Sequence, residues 1–178
     1  NTVVCWGSNY YGQLGDGTNT DSPTPVSVGV TGATQITAGG DHSCALKSGG
    51  GVVCWGNNID GELGDSGASG NSSNTPVVVV PSATFTAVSA GTNHTCAVAT
   101  DGSPWCWGKN ASGQLGTGNL ASHNSPFSVS SITNVSSITA GQSHTCAYKT
   151  DGTAWCWGAN LAGQLGDGTT TTRDVPVA

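Results

Sequence analysis

Short runs of alternating apolar and polar residues recur along the chain, and no segment shows the period of an amphipathic helix. The clearest pair is HTCAVA at 94–99 and SPWCW at 103–107, which flank Thr-Asp-Gly at 100–102. Asp-Gly between two such runs predicts a β-hairpin, because glycine readily adopts the positive φ of the turn. Both faces of the second run are apolar, which is typical of a strand covered on both sides.

This hairpin belongs to a stretch that the chain repeats. Its fullest copy reads AGQSHTCAYKTDGTAWCWGANLAGQLG, and the copies occupy 140–166, 90–116, 38–64 and, as a second half only, 3–15. Each copy contains one Cys-Trp-Gly motif, and its cysteines are Cys5, Cys54, Cys106 and Cys156. Successive motifs are 49, 52 and 50 residues apart. A period of this length indicates modules that stack on their neighbours.

Each unit holds four short β-runs: the two strands of the hairpin, a run before Ala-Gly and a run that begins at a proline. Four strands per unit of about 50 residues predicts blades of a β-propeller. The fold class is therefore all-β, with about three and a half blades. The units are expected at 1–30 (a second half), 31–82, 83–132 and 133–178, in one continuous domain that is a fragment of a longer chain.

Six of the seven cysteines form three pairs at one spacing, namely Cys44 with Cys54, Cys96 with Cys106, and Cys146 with Cys156. Counting outward from the turn places the two cysteines of each pair opposite one another on antiparallel strands, close enough for a disulfide. Zinc ligands and free thiols are the alternatives, but a zinc site lacks a fourth ligand. Disulfides indicate an exported chain in an oxidising compartment.

Cys5 occupies the position of each second cysteine, and its partner would lie ten residues earlier, before Asn1. We therefore expect the upstream half of this unit to be missing or to be supplied by another chain.

The charge argues against several partners. The formal net charge is −6, with only four lysine and arginine residues, so the chain cannot build the basic stripe that nucleic-acid binding needs. The longest aliphatic run, 77–80, is far too short for a membrane span. The aspartates of the loops do not match the spacing of a calcium loop. We expect no metal and no cofactor.

The repeated residues (Ala-Gly-x-x-His-Thr/Ser, Asp-Gly, Trp-Gly-x-Asn-x-x-Gly-Gln-Leu-Gly and a later Pro-Val) resemble the regulator of chromosome condensation repeat over essentially the whole chain. The resemblance implies a seven-bladed propeller, of which this chain would form a part or one half. Its best-known member is an exchange factor for a small GTPase and binds chromatin. The cysteine pairs and the acidic charge instead resemble the secreted bacterial branch, so neither activity is carried over.

One histidine precedes each cysteine pair, at a single framework position. No nucleophile accompanies it within its unit, so we predict a structural hydrogen bond between adjacent strands rather than acid–base catalysis. The tryptophans are predicted to pack between blades. The framework residues are His42, His94, His144, Trp55, Trp107 and Trp157.

The loops after Cys-Trp-Gly differ most between copies. Adjacent tyrosines replace small or polar residues in the first of them, and exposed tyrosines make good contacts with a protein partner. The candidate contact residues are Tyr10, Tyr11, Ile59, Asp60, Lys109 and Leu161.

We therefore predict a non-enzymatic extracellular or cell-surface module that binds a protein partner, or copies of itself, through its blade loops. One alternative is a structural subunit of a surface filament or sheath built by blade stacking. A second is a carbohydrate-binding module that uses loop tryptophan and asparagine residues. Recurring paired carboxylates, which glycoside hydrolysis requires, are absent from the repeats.

Overall fold

In the computed structural model, which describes residues 2–67, 69–80 and 83–178, the regular elements are β-strands. In chain order they are β1 (Thr2–Gly7), β2 (Ser22–Thr31), β3 (Ala33–Ala38), β4 (His42–Lys47), β5 (Val52–Gly56), β6 (Ser73–Val78), β7 (Phe85–Ala90), β8 (His94–Ala99), β9 (Pro104–Gly108), β10 (His123–Ser128), β11 (Val135–Ala140), β12 (His144–Lys149), β13 (Ala154–Gly158) and β14 (Arg173–Val177).

The strands form three four-stranded antiparallel sheets and one two-stranded sheet. Each four-stranded sheet is a simple meander, in the orders β3-β4-β5-β6, β7-β8-β9-β10 and β11-β12-β13-β14, and β1 pairs with β2 alone. This arrangement confirms the predicted all-β fold of three and a half propeller blades. The three four-stranded sheets span 33–78, 85–128 and 135–177, and β2 ends at Thr31.

The fourth strand of each sheet begins earlier than its proline indicates. In β6, for example, pairing starts with Ser73 opposite Gly56, three residues before Pro76. A register shift lies between this pair and the next, so the strand is irregular where the sequence pattern is weakest. The proline then lies on an outer strand, where a missing N–H group costs no ladder bond and discourages edge-to-edge association.

The apolar core lies between successive sheets. One cluster joins the β3–β6 sheet to the β7–β10 sheet, and a second joins the β7–β10 sheet to the β11–β14 sheet. The largest buried side chains are one tryptophan from the third strand of each four-stranded sheet, namely Trp55, Trp107 and Trp157, all 0% exposed. The corresponding side chain of β1, Trp6, is 62% exposed.

The three cysteine pairs lie directly opposite one another in the hairpins. Cys96 is the register partner of Cys106, their Cα atoms are 4.1 Å apart, and the pair is at disulfide distance. The pairs in the other two complete sheets have the same geometry, with Cα separations of 4.0 and 4.1 Å. Cys5 is a half-buried free thiol on β1.

The meander places two kinds of connection at one end of every sheet. The tight turns after the first strands and the long connections after the third strands lie at this end, which we call the loop face; they comprise 8–21, 39–41, 57–67, 69–72, 91–93, 109–122, 141–143 and 159–172. The hairpin turns lie at the opposite end, which we call the hairpin face; they comprise 48–51, 100–103 and 150–153.

We predict that Cys96→Ala/Cys106→Ala lowers the free energy of unfolding by about 2–4 kcal/mol, because the cross-link restricts the unfolded chain. Urea unfolding followed by tryptophan fluorescence measures this change. Cys5→Ala is the matched control and should change the value by less than about 0.5 kcal/mol. Equal effects of the two variants would contradict a stabilising role for the pair.

Candidate interaction face

A backbone carbonyl in each of the first three long loops receives two hydrogen bonds from the next sheet. The Gln114 carbonyl accepts from the Trp157 indole Nε1–H at 2.9 Å and from the Thr145 hydroxyl at 2.8 Å. The same pattern recurs at the Glu62 carbonyl, where the distances to Trp107 Nε1 and Thr95 Oγ1 are 2.8 and 2.9 Å. These bonds fix each loop to the neighbouring sheet.

The first loop is held in the same way, except that a serine hydroxyl takes the place of the threonine hydroxyl. Trp55 Nε1 donates to the Gln13 carbonyl at 2.8 Å, and the Ser43 hydroxyl donates to it at 3.0 Å. The glycine two residues further on makes room for the indole, since a Cβ atom on Gly15 would lie 2.7 Å from Trp55 Nε1. The repeated Gln-Leu-Gly motif therefore forms a socket for the tryptophan of the next sheet.

The framework histidines extend this arrangement. His94 Nε2 lies 2.9 Å from Thr145 Oγ1, whose single proton is donated to the Gln114 carbonyl. The hydroxyl oxygen must therefore accept from the ring, so His94 carries its proton on Nε2. His42 contacts Thr95 in the same way, at 2.9 Å. The predicted hydrogen bond between strands thus joins neighbouring sheets rather than strands of one sheet.

Both histidines are buried and neutral. Burial lowers the pKa of His42 from 6.5 to about 4. Burial, and the nearby His42 and His144, lower the pKa of His94 to about 3. Within residues 2–67, 69–80 and 83–178, the Nδ1 atoms of His42 and His94 have no hydrogen-bond partner. A proton-transfer role would require access to a substrate, which this packing does not provide.

An asparagine inside each long loop fixes the loop's own conformation. Asn110 Oδ1 accepts from the Leu115 amide at 2.9 Å, and its Nδ2 donates to the carbonyls of Asn119 and Ala121 at 2.8 and 3.0 Å. The equivalent side chains hold the other loops in the same way and are Asn9, Asn58 and Asn160. All four asparagines are 0% exposed.

The residue that follows each asparagine points away from this buried cage. At this one position the chain displays Tyr10 (74% exposed), Ile59 (54%), Ala111 and Leu161 (83%). Leu120, further along its loop, is 58% exposed and was not singled out by the sequence pattern. Each loop therefore presents an exposed apolar side chain on a fixed backbone.

The other predicted contact residues behave differently. Tyr11 is half-buried and packs edge-on against Tyr10, with ring centroids 4.8 Å apart. Lys109 Nζ lies 3.6 Å from Asp60 Oδ2, so these two candidates pair across neighbouring loops. Sequence reasoning had no signal for this pair, because the two residues are far apart in the chain.

One loop carries a glutamate where the other three carry glutamine. Glu62 is 0% exposed, and burial raises the pKa of its carboxyl group. Its Oε1 accepts from the Asn93 amide at 3.2 Å, whereas the equivalent Gln13 amide donates to Asp41 at 3.4 Å. At one interface the loop supplies the carboxylate and the turn supplies the amide, and at the other interface the loop supplies the amide and the turn supplies the carboxylate. The exchange preserves a donor–acceptor pair.

An apolar recess lies beside β1 that the sequence analysis did not predict. Val4, Cys5, Trp6 and Ile36 line a cavity of about 510 Å³ whose floor is formed by the first two strands of the β3–β6 sheet. Val4 and Ile36 are exposed here because β1 pairs only with β2.

Across residues 2–67, 69–80 and 83–178, no three His, Cys, Asp or Glu side chains are placed together to hold a metal ion. Within the same residues, no helix has the length and apolar character needed to cross a membrane.

Comparison with known families identifies the repeat. Residues 2–46, 49–98, 101–148 and 151–178 match the regulator of chromosome condensation (RCC1) repeat, and a second description of that repeat matches 33–62, 85–114 and 135–164. The chain belongs to this family, as its motifs predict. The matched segment 49–98 covers the last two strands of one sheet, β5 and β6, and the first two strands of the next, β7 and β8. One family repeat therefore spans an interface between sheets.

Similar proteins share the fold but are longer. The Arabidopsis thaliana ultraviolet-B receptor UVR8 is 33% identical over 122 residues, which is 66% of this chain and 28% of the receptor. Saccharomyces cerevisiae Prp20p superposes with a TM-score of 0.88 at 22% identity, over 99% of this chain and 46% of its own. Human WBSCR16 gives 0.84 at 24% identity, over 97% and 46%. The chain thus spans less than half of each of these proteins.

We predict that stability falls as the pH is lowered from 7.5 to 5. The unfolded state takes up protons near pH 6.5, whereas buried His42 and His94 resist protonation until about pH 4 and 3. Each histidine therefore contributes a loss approaching about 1.4 kcal/mol per pH unit within this window. Glu62 acts in the opposite direction, since its raised pKa favours the protonated folded state at low pH.

Thermal unfolding at several pH values measures this dependence. His42→Gln/His94→Gln should flatten the profile, because glutamine can donate to the threonine hydroxyl without titrating. The variant His123→Gln, at the first residue of β10, is the control and should retain most of the slope. An unchanged slope in the double variant would contradict the assignment.

Proposed function

We propose that this chain is a non-enzymatic, extracellular protein-binding module that contacts its partner through the loop face. The main support for this proposal is a set of exposed side chains at one equivalent loop position. Each of them, Tyr10, Ile59 and Leu161, directly follows a buried asparagine. Exposed apolar residues that recur at equivalent positions are typical of a contact surface.

The rigidity of the loops supports this proposal. Binding is weakened when flexible loops must become ordered, and a loop that is already fixed avoids that loss. Here each loop is held internally by an asparagine, and the first three are also held externally by bonds such as Trp107 Nε1 to the Glu62 carbonyl. A yeast protein of the same fold, Prp20, has been solved bound to Kap60, so a protein of this fold has a protein partner.

The cysteine pairs support the extracellular location. Three pairs at disulfide distance persist in an oxidising compartment and would be reduced in the cytosol. The non-enzymatic assignment is supported by His42 and His94, whose proton-bearing nitrogens are committed to threonine hydroxyls inside the sheet interfaces.

We predict that peptides selected from a random phage-displayed library against the immobilised chain bind at the loop face. Their binding should be lost in Tyr10→Ser/Ile59→Ser/Leu161→Ser, because this variant removes the apolar contacts without touching the buried framework. The matched control Tyr148→Ser removes an exposed aromatic residue close to the hairpin face. Failure to select binders, or binders sensitive only to the control, would contradict the proposed function.

A second candidate function is a structural subunit that assembles end to end by blade stacking. Trp6 is exposed where its three equivalents fill a socket, and within the described chain no heavy atom lies within 4 Å of a Cβ position on Gly166. A second copy could place Trp6 over Gly166, with the indole donating to the Gln164 carbonyl. This would repeat the internal contact between sheets.

We predict for this candidate that the chain associates as its concentration rises, as measured by analytical ultracentrifugation. Trp6→Ala should abolish the association, because it removes both the indole packing and its N–H donor. Tyr10→Ala, an aromatic change on the loop face, should leave it intact. A monomer at every concentration would reject end-to-end assembly.

A further inference from the structure

The charges of the chain are divided unequally between its two ends. The loop face and the strand ends next to it carry eight of the ten acidic residues, Asp16, Asp21, Asp41, Asp60, Glu62, Asp65, Asp167 and Asp174. Only Lys109 and Arg173 oppose them at this end. Eight negative and two positive side chains make a formal charge of −6, which equals the net charge of the whole chain.

The hairpin face is neutral by the same count. Asp101 and Asp151 lie in its turns, and Lys47 and Lys149 end the strands that enter those turns. Lys149 also pairs with Asp151 at 2.8 Å. The sheets therefore separate a strongly acidic end from one without net charge.

Two of the loop-face carboxylates, Asp21 and Asp174, have no ion-pair partner among the described residues. Asp21 accepts a hydrogen bond from the Asn9 backbone amide at 2.7 Å, and among the described residues no basic group lies within salt-bridge distance of it. Asp174 is held against the neighbouring loop, where its carbonyl accepts from the Gly118 backbone amide at 2.9 Å, and it forms no ion pair with the part of the chain that the structure describes. By contrast, Asp167 is paired with Arg173 at 2.9 Å.

The exposed apolar side chains lie at this same acidic end. Tyr10, Ile59, Leu120 and Leu161 all project from loops of the loop face. Nucleic acids and anionic membranes are poor partners for this surface, because both would bring more negative charge to it. A protein with basic side chains around apolar contact positions matches both features.

We propose that the loop face binds a protein partner whose contacting surface is basic and carries apolar side chains. The apolar contacts supply the desolvated anchors, and the surrounding carboxylates select for lysine and arginine and accelerate encounter. This inference rests on the proposed protein-binding function of the loop face and adds the chemistry of the partner.

Two synthetic peptides provide a direct test. One is an amphipathic helix of leucine and lysine, and the other has glutamate at every lysine position; both are titrated into the full chain and followed by fluorescence anisotropy. We expect the lysine peptide to bind, with Kd rising about ten-fold between about 0.05 and 0.3 M salt as the charges are screened. The glutamate peptide should not bind measurably.

Two double variants locate the site while changing the net charge equally. Asp21→Asn/Asp174→Asn, on the loop face, should weaken binding of the lysine peptide about five-fold or more. Asp101→Asn/Asp151→Asn, on the hairpin face, should change it by less than about two-fold. Asparagine keeps the acceptor oxygen in both cases, so the turns are preserved. Leu161→Ser tests the apolar contribution without altering charge and should also weaken binding.

The possible results separate the inference from the proposed function. Equal binding of both peptides, or equal weakening by both double variants, would overturn the inference. If the lysine peptide does not bind although library-selected peptides bind the loop face, the partner chemistry is wrong and the binding function stands. If neither type of peptide binds, both fail.

Discussion

The structure depends on one repeated interaction, in which a loop carbonyl accepts hydrogen bonds from an indole and a hydroxyl of the next sheet. At Gln114 these donors are Trp157 and Thr145, and the hydroxyl in turn accepts from His94. A buried carbonyl with two donors is well satisfied, and each donor side chain belongs to an element that the sheet already fixes. The contact therefore transmits the order of the sheets to the loops.

Other features of the chain support this contact. Few residues of the chain are apolar: 35% are hydrophobic and 6% are aromatic. A few tryptophans therefore provide much of the packing between sheets. The cysteine pairs cross-link the hairpins from which Trp107 and Trp157 project. Glu62 in place of glutamine shows that the interface tolerates a changed side chain, because the backbone carbonyl and not the side chain receives the bonds that recur between sheets.

Local chemistry was sufficient to predict the fold. The alternation in each hairpin, the Asp-Gly turns and the register of Cys96 opposite Cys106 are short-range properties, and the family motifs are themselves repeated in the chain. The sheet partner of His94 was not predictable from periodicity, since Thr145 lies 51 residues away. The threonine or serine after each histidine was visible as a repeated residue, but its role depends on how the sheets pack.

Hydrogen exchange tests the central claim most directly, because it measures loop order residue by residue. In Trp157→Phe, which removes the indole donor to the Gln114 carbonyl but retains an aromatic ring, the account predicts faster exchange of the Leu115 amide. The Leu63 amide donates to Asn58 in a loop whose own contact, from Trp107 to the Glu62 carbonyl, is intact in this variant. It should therefore exchange as in the parent chain. Unchanged protection of Leu115, or equal loss at both amides, would contradict the account.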